Sequence, residues 1–270
     1  LGISMTYRWK SGYAVVSIAM GILAAIFFVT KGMWEGITVN GNEEHHAESD
    51  ASLIDTLKSI PVQLSMLIFF LYTGMELGLG LWAYSLLTES RGVAPEVAGI
   101  VTGSYWAMFT LGRILAGWYA KKVDDRKLIY LSVSFAFLGT ALLLTNFGQL
   151  TSILGITVAG FSIAPIFPGL VSSTASRVGF RHQANTIGMQ MAAASFGIMV
   201  VPSLAGVLAK IYGLEVIPLY MLTVLILMFM VFVYLDFQSK KPEKTTDVQH
   251  PGKRTKKLIK LENYSNGLKL

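Results

Sequence analysis

The chain has 270 residues, of which 53% are apolar and 14% are charged, and its formal net charge is +6. A soluble domain usually carries about 25% charged residues. This composition would leave too much apolar surface in water, which excludes a soluble enzyme, a nucleic-acid-binding protein and a disulfide-stabilised secreted domain. The sequence contains no cysteine, which excludes disulfides, thiol nucleophiles and thiolate metal sites.

The apolar residues are clustered in long runs separated by short polar stretches, the pattern of a polytopic membrane protein. The alternating pattern typical of membrane β-strands is missing from these runs, so the predicted fold class is all-α. Seven transmembrane helices are predicted, at 11–30, 62–87, 97–120, 128–147, 150–172, 186–209 and 214–235.

Polar segments divide the chain into four predicted parts. These are the end of a preceding domain (1–30), an acidic connection (31–61), a six-helix bundle (62–235) and a basic tail (236–270). The connection contains His45 and His46 without further ligands at suitable spacing, so no metal site is predicted. The tail is expected to be disordered or to rest on anionic headgroups. The chain begins without Met, and we expect it to be a piece of a longer polypeptide.

Lysine and arginine are unequally divided between the two sets of connections. One set, which includes the tail, carries 17 of the 22 basic residues, whereas the opposite set carries 4 and Arg113 lies inside a predicted helix. Because basic flanks stay in the cytoplasm, we expect the chain to start outside and to end inside the cell. The predicted location is the plasma (inner) membrane.

The six helices after the connection form two blocks of equal length, 62–147 and 150–235, with three helices each. An odd number of helices per block makes the second block enter the membrane from the opposite side. This layout is typical of the inverted-topology repeats of transporters, whose binding site lies near the bilayer midplane.

Glu76 is predicted near the middle of a transmembrane helix, where a charged side chain is costly and is expected to face a cavity or a partner. Burial disfavours a charged carboxylate, which would let Glu76 take up and release a proton. Three neighbouring glycines allow either a partly unwound segment or close packing. Tyr72 and Trp82 lie in the same stretch as Glu76, and Trp82 could stack on a sugar ring. The alternative is a purely structural pairing of Glu76.

Three further sets of side chains have both a functional and a structural interpretation. Gln190 could line a cavity or form a hydrogen bond between helices. Tyr105 and Trp106 could line a pathway, although packing or membrane-interface aromatics are more common. Arg113 lies about two turns from the cytoplasmic end of its helix and is expected to reach the interface in a structural role.

Pro165 and Pro168 lie three residues apart within one predicted helix. Each proline lacks an N–H group and kinks a helix, which leaves carbonyl groups that need another partner. Such a bend would suit a gating helix and is also tolerated as static shape.

These residues, in this order, resemble the C-terminal half of a Major Facilitator Superfamily transporter of the fucose-permease-like branch. One matching stretch is 112–127, which begins with Gly112 and Arg113. Its later part, with Gly117, Arg126 and Lys127, is similar to the second copy of the superfamily's cytoplasmic loop motif. The sequence departs from this motif with Lys at 121 and Asp at 124, which puts the motif's salt bridge in doubt. The Pro165 region and Gln190 resemble the branch's tenth-helix and eleventh-helix motifs.

The resemblance implies that the first predicted helix is the sixth of twelve and that the following six are helices seven to twelve. It implies an alternating-access mechanism in which a proton gradient drives the transport of a small polar solute such as a monosaccharide. The partners would be that solute, protons, the lipid bilayer and the missing N-terminal six-helix half, with no cofactor. The branch's important proton-linked acids lie in the N-terminal half. The prediction that Glu76 has a role in transport therefore rests only on the cost of burying its carboxylate.

Two alternatives to this function remain open at the level of sequence. One is an efflux transporter of amphiphilic or cationic compounds, and the other is a seven-helix receptor or scaffold that moves no solute. An enzyme is not expected, because no Ser–His–Asp set, metal cluster or phosphate-binding loop occurs within the predicted helices.

Overall fold

The computed structural model describes residues 2–32, 51–119 and 122–239, and all regular structure within these ranges is helical. The prediction of an all-α chain is therefore confirmed. The helices are α1 (Gly2–Val29), α2 (Leu53–Lys58), α3 (Ile60–Ser85), α4 (Pro95–Tyr119), α5 (Asp125–Thr145), α6 (Gln149–Ile163), α7 (Ile166–Ser172), α8 (Thr174–Val178), α9 (Gln183–Tyr212) and α10 (Val216–Ser239). A π-helical turn, Leu86–Ser90, extends α3.

Six helical segments of the described residues are long and apolar enough to cross a membrane. They are α1, α3 with its π turn, α5, α6 with α7, α9 and α10. The remaining predicted span, 97–120, is present as α4, which is 25 residues long but carries Glu96, Arg113 and several hydroxyl side chains. The predicted spans therefore all occur as helices, and among the described residues α4 is the one of the seven whose composition falls short of a membrane-crossing segment.

The chain separates into two compact units, residues 1–50 and 51–270. In the first unit, α1 begins nine residues before the predicted span 11–30 and ends one residue short of it. Residues 33–50, which include the two histidines of the acidic connection, and residues 240–270 of the tail lie outside the described residues.

The end of the acidic connection, from residue 51 onward, belongs to the second unit. Ser52 caps α2, accepting a hydrogen bond from the Asp55 N–H at 3.1 Å. The Thr56 hydroxyl lies 3.0 Å from Nδ1 of His182, and the Asn185 amide donates to the Ala51 carbonyl at 2.7 Å. The hydrogen bond with Thr56 gives His182 a structural contact.

Helix α3 lies at the centre of the second unit, in contact with α4, α6, α9 and α10. Each of its three glycines receives a side chain from a different helix: Val201 of α9 packs on Gly74, Met221 of α10 on Gly78, and Trp106 of α4 on Gly80. Helix α3 is continuous here, so these glycines provide close packing and not an unwound segment.

The span predicted at 150–172 is interrupted where the first proline was expected to bend it. Helix α6 ends at Ile163, Pro165 precedes α7, and Pro168 lies in the first turn of α7, where a missing N–H costs little. The kink predicted from Pro165 is therefore confirmed as a break between two helices.

Candidate functional site

Glu76 lies on α3 with only 16% of its side chain exposed, and its carboxylate faces Arg113 of α4. The closest oxygen and nitrogen of this ion pair are 3.8 Å apart. The hydroxyl of Tyr105, also on α4, donates to the backbone carbonyl of Glu76 at 2.7 Å. A charge within a membrane helix requires such a partner, and the residues of α4 supply it.

The Arg113 side chain is 46% exposed although it lies well inside the bundle sequence. Its guanidinium lies 4.5 Å from the ring centre of Phe109 and 5.8 Å from that of Phe167. We expected Arg113 to extend to the membrane interface. The structure places its guanidinium near Glu76 and over the rings of Phe109 and Phe167, an arrangement that stabilises a cation.

Tyr72 connects Glu76 to the helix break. Its side chain is fully buried one turn before Glu76, and its hydroxyl donates to the Ile163 carbonyl at 3.1 Å. Ile163 is the last residue of α6, so Tyr72 supplies a donor where the helix is interrupted. The same hydroxyl interacts electrostatically with the Glu76 carboxylate.

Tyr105 and Trp106 form an aromatic cluster with Phe109 on α4. The ring centres of Tyr105 and Trp106 are 5.1 Å apart, and Trp106 lies 5.8 Å from Phe109. Tyr105 is buried against α6 at Gly160, whereas Trp106 is 37% exposed over Gly80. Trp106 is thus the aromatic side chain of this cluster that a solute could contact.

Trp82, another predicted site residue, packs between helices α3 and α9. The Trp82 indole N–H donates to the Pro202 carbonyl of α9 at 3.0 Å, and its ring packs on Gly206. Its donor is thus occupied by protein. The structure does not bring Trp82 into the Glu76 cluster.

Gln190 is fully buried and joins three helices. Its side-chain nitrogen lies 2.5 Å from the Ser65 hydroxyl on α3 and 3.2 Å from the Thr174 hydroxyl on α8. Of its two interpretations, the structure shows the hydrogen bond between helices.

A cleft of about 460 Å³ extends from Arg113 toward the turn after α4. We refer to it as the Arg113 cleft. It is lined by Arg113, Gly117, Asp125, Phe167 and Pro168, among others. Residues singled out separately on α4 and near the prolines therefore line one space. Gly112 lies beside it, where its missing side chain lets α4 rest on the Phe161 carbonyl of α6.

One loop-motif residue, Arg126, forms an ion pair that was not predicted from the sequence. Arg126 lies 3.1 Å from the buried carboxylate of Asp236 at the end of α10, and it also donates to the Ser239 hydroxyl. Lys127 is exposed. The signal for Asp236 was an acidic residue at the end of an apolar helix, which we had assigned to the tail boundary.

Arg177 is a second missed residue near the same end of the bundle. It is 6% exposed and donates to the Leu170 carbonyl at 3.1 Å and to the Ser173 hydroxyl. Burial lowers the pKa of its guanidinium to about 10, although Asp236 nearby opposes that change. Among the described residues, its Nη1 atom has no hydrogen-bond partner.

At the opposite end, Arg91 joins the connection before α10 to helices α5 and α6. Its buried guanidinium binds the Glu215 carboxylate through two nitrogens at 2.7 and 3.0 Å, the Ser152 hydroxyl at 2.7 Å and the Leu143 carbonyl at 2.8 Å. The hydrogen bonds from Arg91 hold the pKa of the Glu215 carboxyl below its usual value. In the sequence, Arg91 contributed only to the predicted topology.

Within the described residues, no group of three or more His, Cys, Asp and Glu side chains is placed to hold a metal ion.

Comparison with known proteins identifies the family. The sequence model described as Major Facilitator Superfamily matches residues 64–265. The "Bypass of stop codon protein 6" of Saccharomyces cerevisiae is 25% identical, in a match covering 73% of this chain and 45% of that protein. The human "Sodium-dependent glucose transporter 1" is 28% identical, over 74% of this chain and 38% of that protein. The chain therefore matches less than half the length of each relative.

Proposed function

The chain belongs to the Major Facilitator Superfamily, and we propose that it forms the C-terminal half of a secondary active transporter. This family consists of membrane transporters, which confirms that the chain is a multi-pass membrane protein and not an enzyme. In our proposal, residues 1–30 end the N-terminal half, 31–61 are the central loop, 62–235 form the six-helix half and 236–270 form the tail.

The proposed solute is a small polar molecule, and a monosaccharide is the first candidate. The human relative's name describes a glucose transporter. The Glu76 region offers a carboxylate, a guanidinium and the partly exposed ring of Trp106, which are the kinds of group that hold a sugar in place. Trp82 has its N–H engaged by Pro202, so Trp106 replaces it as the proposed stacking residue.

The ion pair between Glu76 and Arg113 is the single observation that carries this proposal. Protonation would neutralise Glu76 and leave Arg113 without its partner. The resulting imbalance gives a proton a means of changing how α3 and α4 interact. Sodium is the competing coupling ion, because the human relative is described as sodium-dependent.

The proposed location is the plasma (inner) membrane. In the proposed orientation, the turn between α4 and α5 lies in the cytoplasm, and so does the C-terminal tail. The basic residues in and after this turn support that orientation. Fluorescent or enzymatic reporters fused after residue 270 and after Asn146 would report opposite sides if the orientation is right.

Uptake of labelled fucose, galactose and glucose tests the proposal. Cells would express the chain together with its proposed N-terminal half, at acidic and neutral external pH and with sodium or choline in the medium. The proposal expects uptake of at least one hexose that rises with the imposed proton gradient and falls in Glu76→Gln. The matched control is Glu89→Gln, which alters an exposed carboxylate in the π turn after α3.

Each alternative makes a different prediction in the same cells. Resistance to a cationic dye without hexose uptake would indicate an efflux transporter. Ligand-dependent protein binding without any solute flux would indicate a receptor or scaffold. Sodium-dependent uptake that is insensitive to the proton gradient would support a transporter whose coupling ion is sodium instead of the proton.

A further inference from the structure

An apolar groove of about 410 Å³ runs between α4 and α5. These helices follow each other in the chain, but both pack on α6 and leave a space between them. We call this space the α4–α5 groove. Its walls include Gly112 and Ala116 of α4, Ser132 and Phe135 of α5, and Phe161 on the floor formed by α6.

The polar atoms in the groove offer little to a polar ligand. The Thr157 hydroxyl donates to the Ile153 carbonyl of its own helix at 2.8 Å, and the Ser162 hydroxyl donates to the Val158 carbonyl at 2.7 Å. The other floor and wall side chains are apolar apart from Ser132 and the tyrosine at the end of α4. The lining therefore matches hydrocarbon better than it matches water or a sugar.

The groove has the depth of one membrane leaflet. Along α4 it runs from Tyr119 to Met108, which are eleven positions apart and so separated by about 16 Å of helix. The hydrocarbon core of a bilayer is about 30 Å thick, so one leaflet accounts for about half of that. Trp118 and Tyr119 are exposed at one end of the groove, as is typical of aromatic residues at the membrane–water interface.

Basic side chains lie just beyond the aromatic end. Lys122 and Lys127 are exposed in and after the turn between α4 and α5, whereas Arg126 is engaged by Asp236. Two lysines at headgroup level, next to an apolar groove that ends at mid-membrane, are complementary to a phospholipid. The phosphate would lie by the lysines and one acyl chain would fill the groove.

We propose that the α4–α5 groove binds one phospholipid acyl chain, with its phosphate held by Lys122 and Lys127. This site is separate from the proposed solute site and depends only on the chain's being a membrane protein. Ala116 and Leu128 line both the groove and the Arg113 cleft. A bound acyl chain therefore packs against the helix that carries Arg113.

A photoactivatable lipid tests the proposal. The chain, co-expressed with its proposed N-terminal half, would be reconstituted in nanodiscs of phosphatidylcholine that contain a trace of phosphatidylglycerol with a diazirine in its acyl chain. After illumination and removal of lipid by detergent, labelled residues are mapped by mass spectrometry. We expect residues 157–162 to be labelled more heavily than the exposed face of α10.

Filling the groove should displace the probe. Thr157→Phe and Ser132→Phe each add a ring inside it, and we expect labelling of the floor to fall about tenfold, which corresponds to losing roughly two buried methylene groups. Ser134→Phe adds the same ring on the exposed face of α5 and should leave labelling unchanged. Circular dichroism and gel filtration would confirm that each variant is folded.

The headgroup part of the proposal has its own arm. A phosphatidylcholine probe should label the floor less than the phosphatidylglycerol probe, and Lys122→Gln with Lys127→Gln should remove that difference. Equal labelling of the groove and the face of α10, or no loss in both filled variants, would overturn the proposal. So would a benzophenone at position 132 that cross-links to polypeptide instead of lipid, because the occupant would then be a protein segment.

Discussion

The hydroxyl of Tyr72 donates to the carbonyl of Ile163 across the boundary between α3 and the interrupted α6. Because carbonyl groups at the end of a membrane helix need donors, this hydrogen bond stabilises the end of α6 at the interruption. Tyr72 also precedes Glu76 by one turn of α3 and interacts with it electrostatically, so the proposed solute site and the broken helix share one side chain.

Removing this donor should destabilise the bundle. We expect Tyr72→Phe to lower the free energy of unfolding by about 1–2 kcal/mol, since the Ile163 carbonyl loses its partner. Unfolding in mixed micelles followed by circular dichroism would measure the change. Tyr84→Phe removes an exposed hydroxyl of the same helix and should have little effect. Equal stability of the two variants would mean that water or another donor satisfies the carbonyl.

The clamp between Arg91 and Glu215 should make stability depend on pH. The folded-state pKa of Glu215 lies below its unfolded value, so its contribution is complete above the unfolded pKa and is lost as pH falls through the folded pKa. We expect the melting temperature to decline with acidification less steeply in Glu215→Gln than in the unmodified chain. Glu89→Gln is the control. Identical pH profiles for the unmodified chain and Glu215→Gln would contradict the clamp.

Close packing between α3 and α9 should be intolerant of one added methyl group. A Cβ atom on Gly197 would collide with the Phe70 carbonyl, so we expect Gly197→Ala to cost about 1–3 kcal/mol. Gly188 lies on the same helix with open space around its Cα, and Gly188→Ala should be neutral or slightly stabilising. The midpoints of thermal unfolding compare the two variants. A stable Gly197→Ala would show that the helices can separate without loss.

The ion pair between Arg126 and Asp236 should stabilise the end of α10. Asp236→Asn would leave Arg126 and the nearby Arg177 without their carboxylate, and we expect a loss of about 1–3 kcal/mol. Asp124→Asn changes an exposed carboxylate in the adjacent turn and serves as the control. Protease accessibility of residues 230–239 would report the loosening. Protection equal to that of the unmodified chain would contradict a structural role for the pair.

The helices were predictable because hydropathy is a property of each segment by itself. The break at Pro165 followed from its missing N–H group in the same way. Glu76 and Arg113 were each recognised by the cost of a charge in a membrane helix. Their pairing was not predicted, because it depends on how α3 and α4 are rotated against each other.

Side-chain roles were harder to predict than side-chain positions. Trp82 has the residue type of a sugar platform, yet in the structure its N–H donates to a carbonyl of α9. Arg91 and Glu215 lie 124 residues apart in the chain, and nothing in either local sequence indicates that they meet. Both outcomes depend on tertiary contacts that one sequence does not specify.

Solute exchange and driven uptake, compared in the same proteoliposomes, would test most directly whether the Glu76–Arg113 pair couples transport. The protein would contain both proposed halves, with whichever hexose the cell assay identifies. In Glu76→Gln we expect proton-driven accumulation to be lost while exchange of labelled for unlabelled solute persists, because the neutral side chain mimics a permanently protonated site. Glu89→Gln should retain both activities. Full proton-driven accumulation in Glu76→Gln would contradict the account.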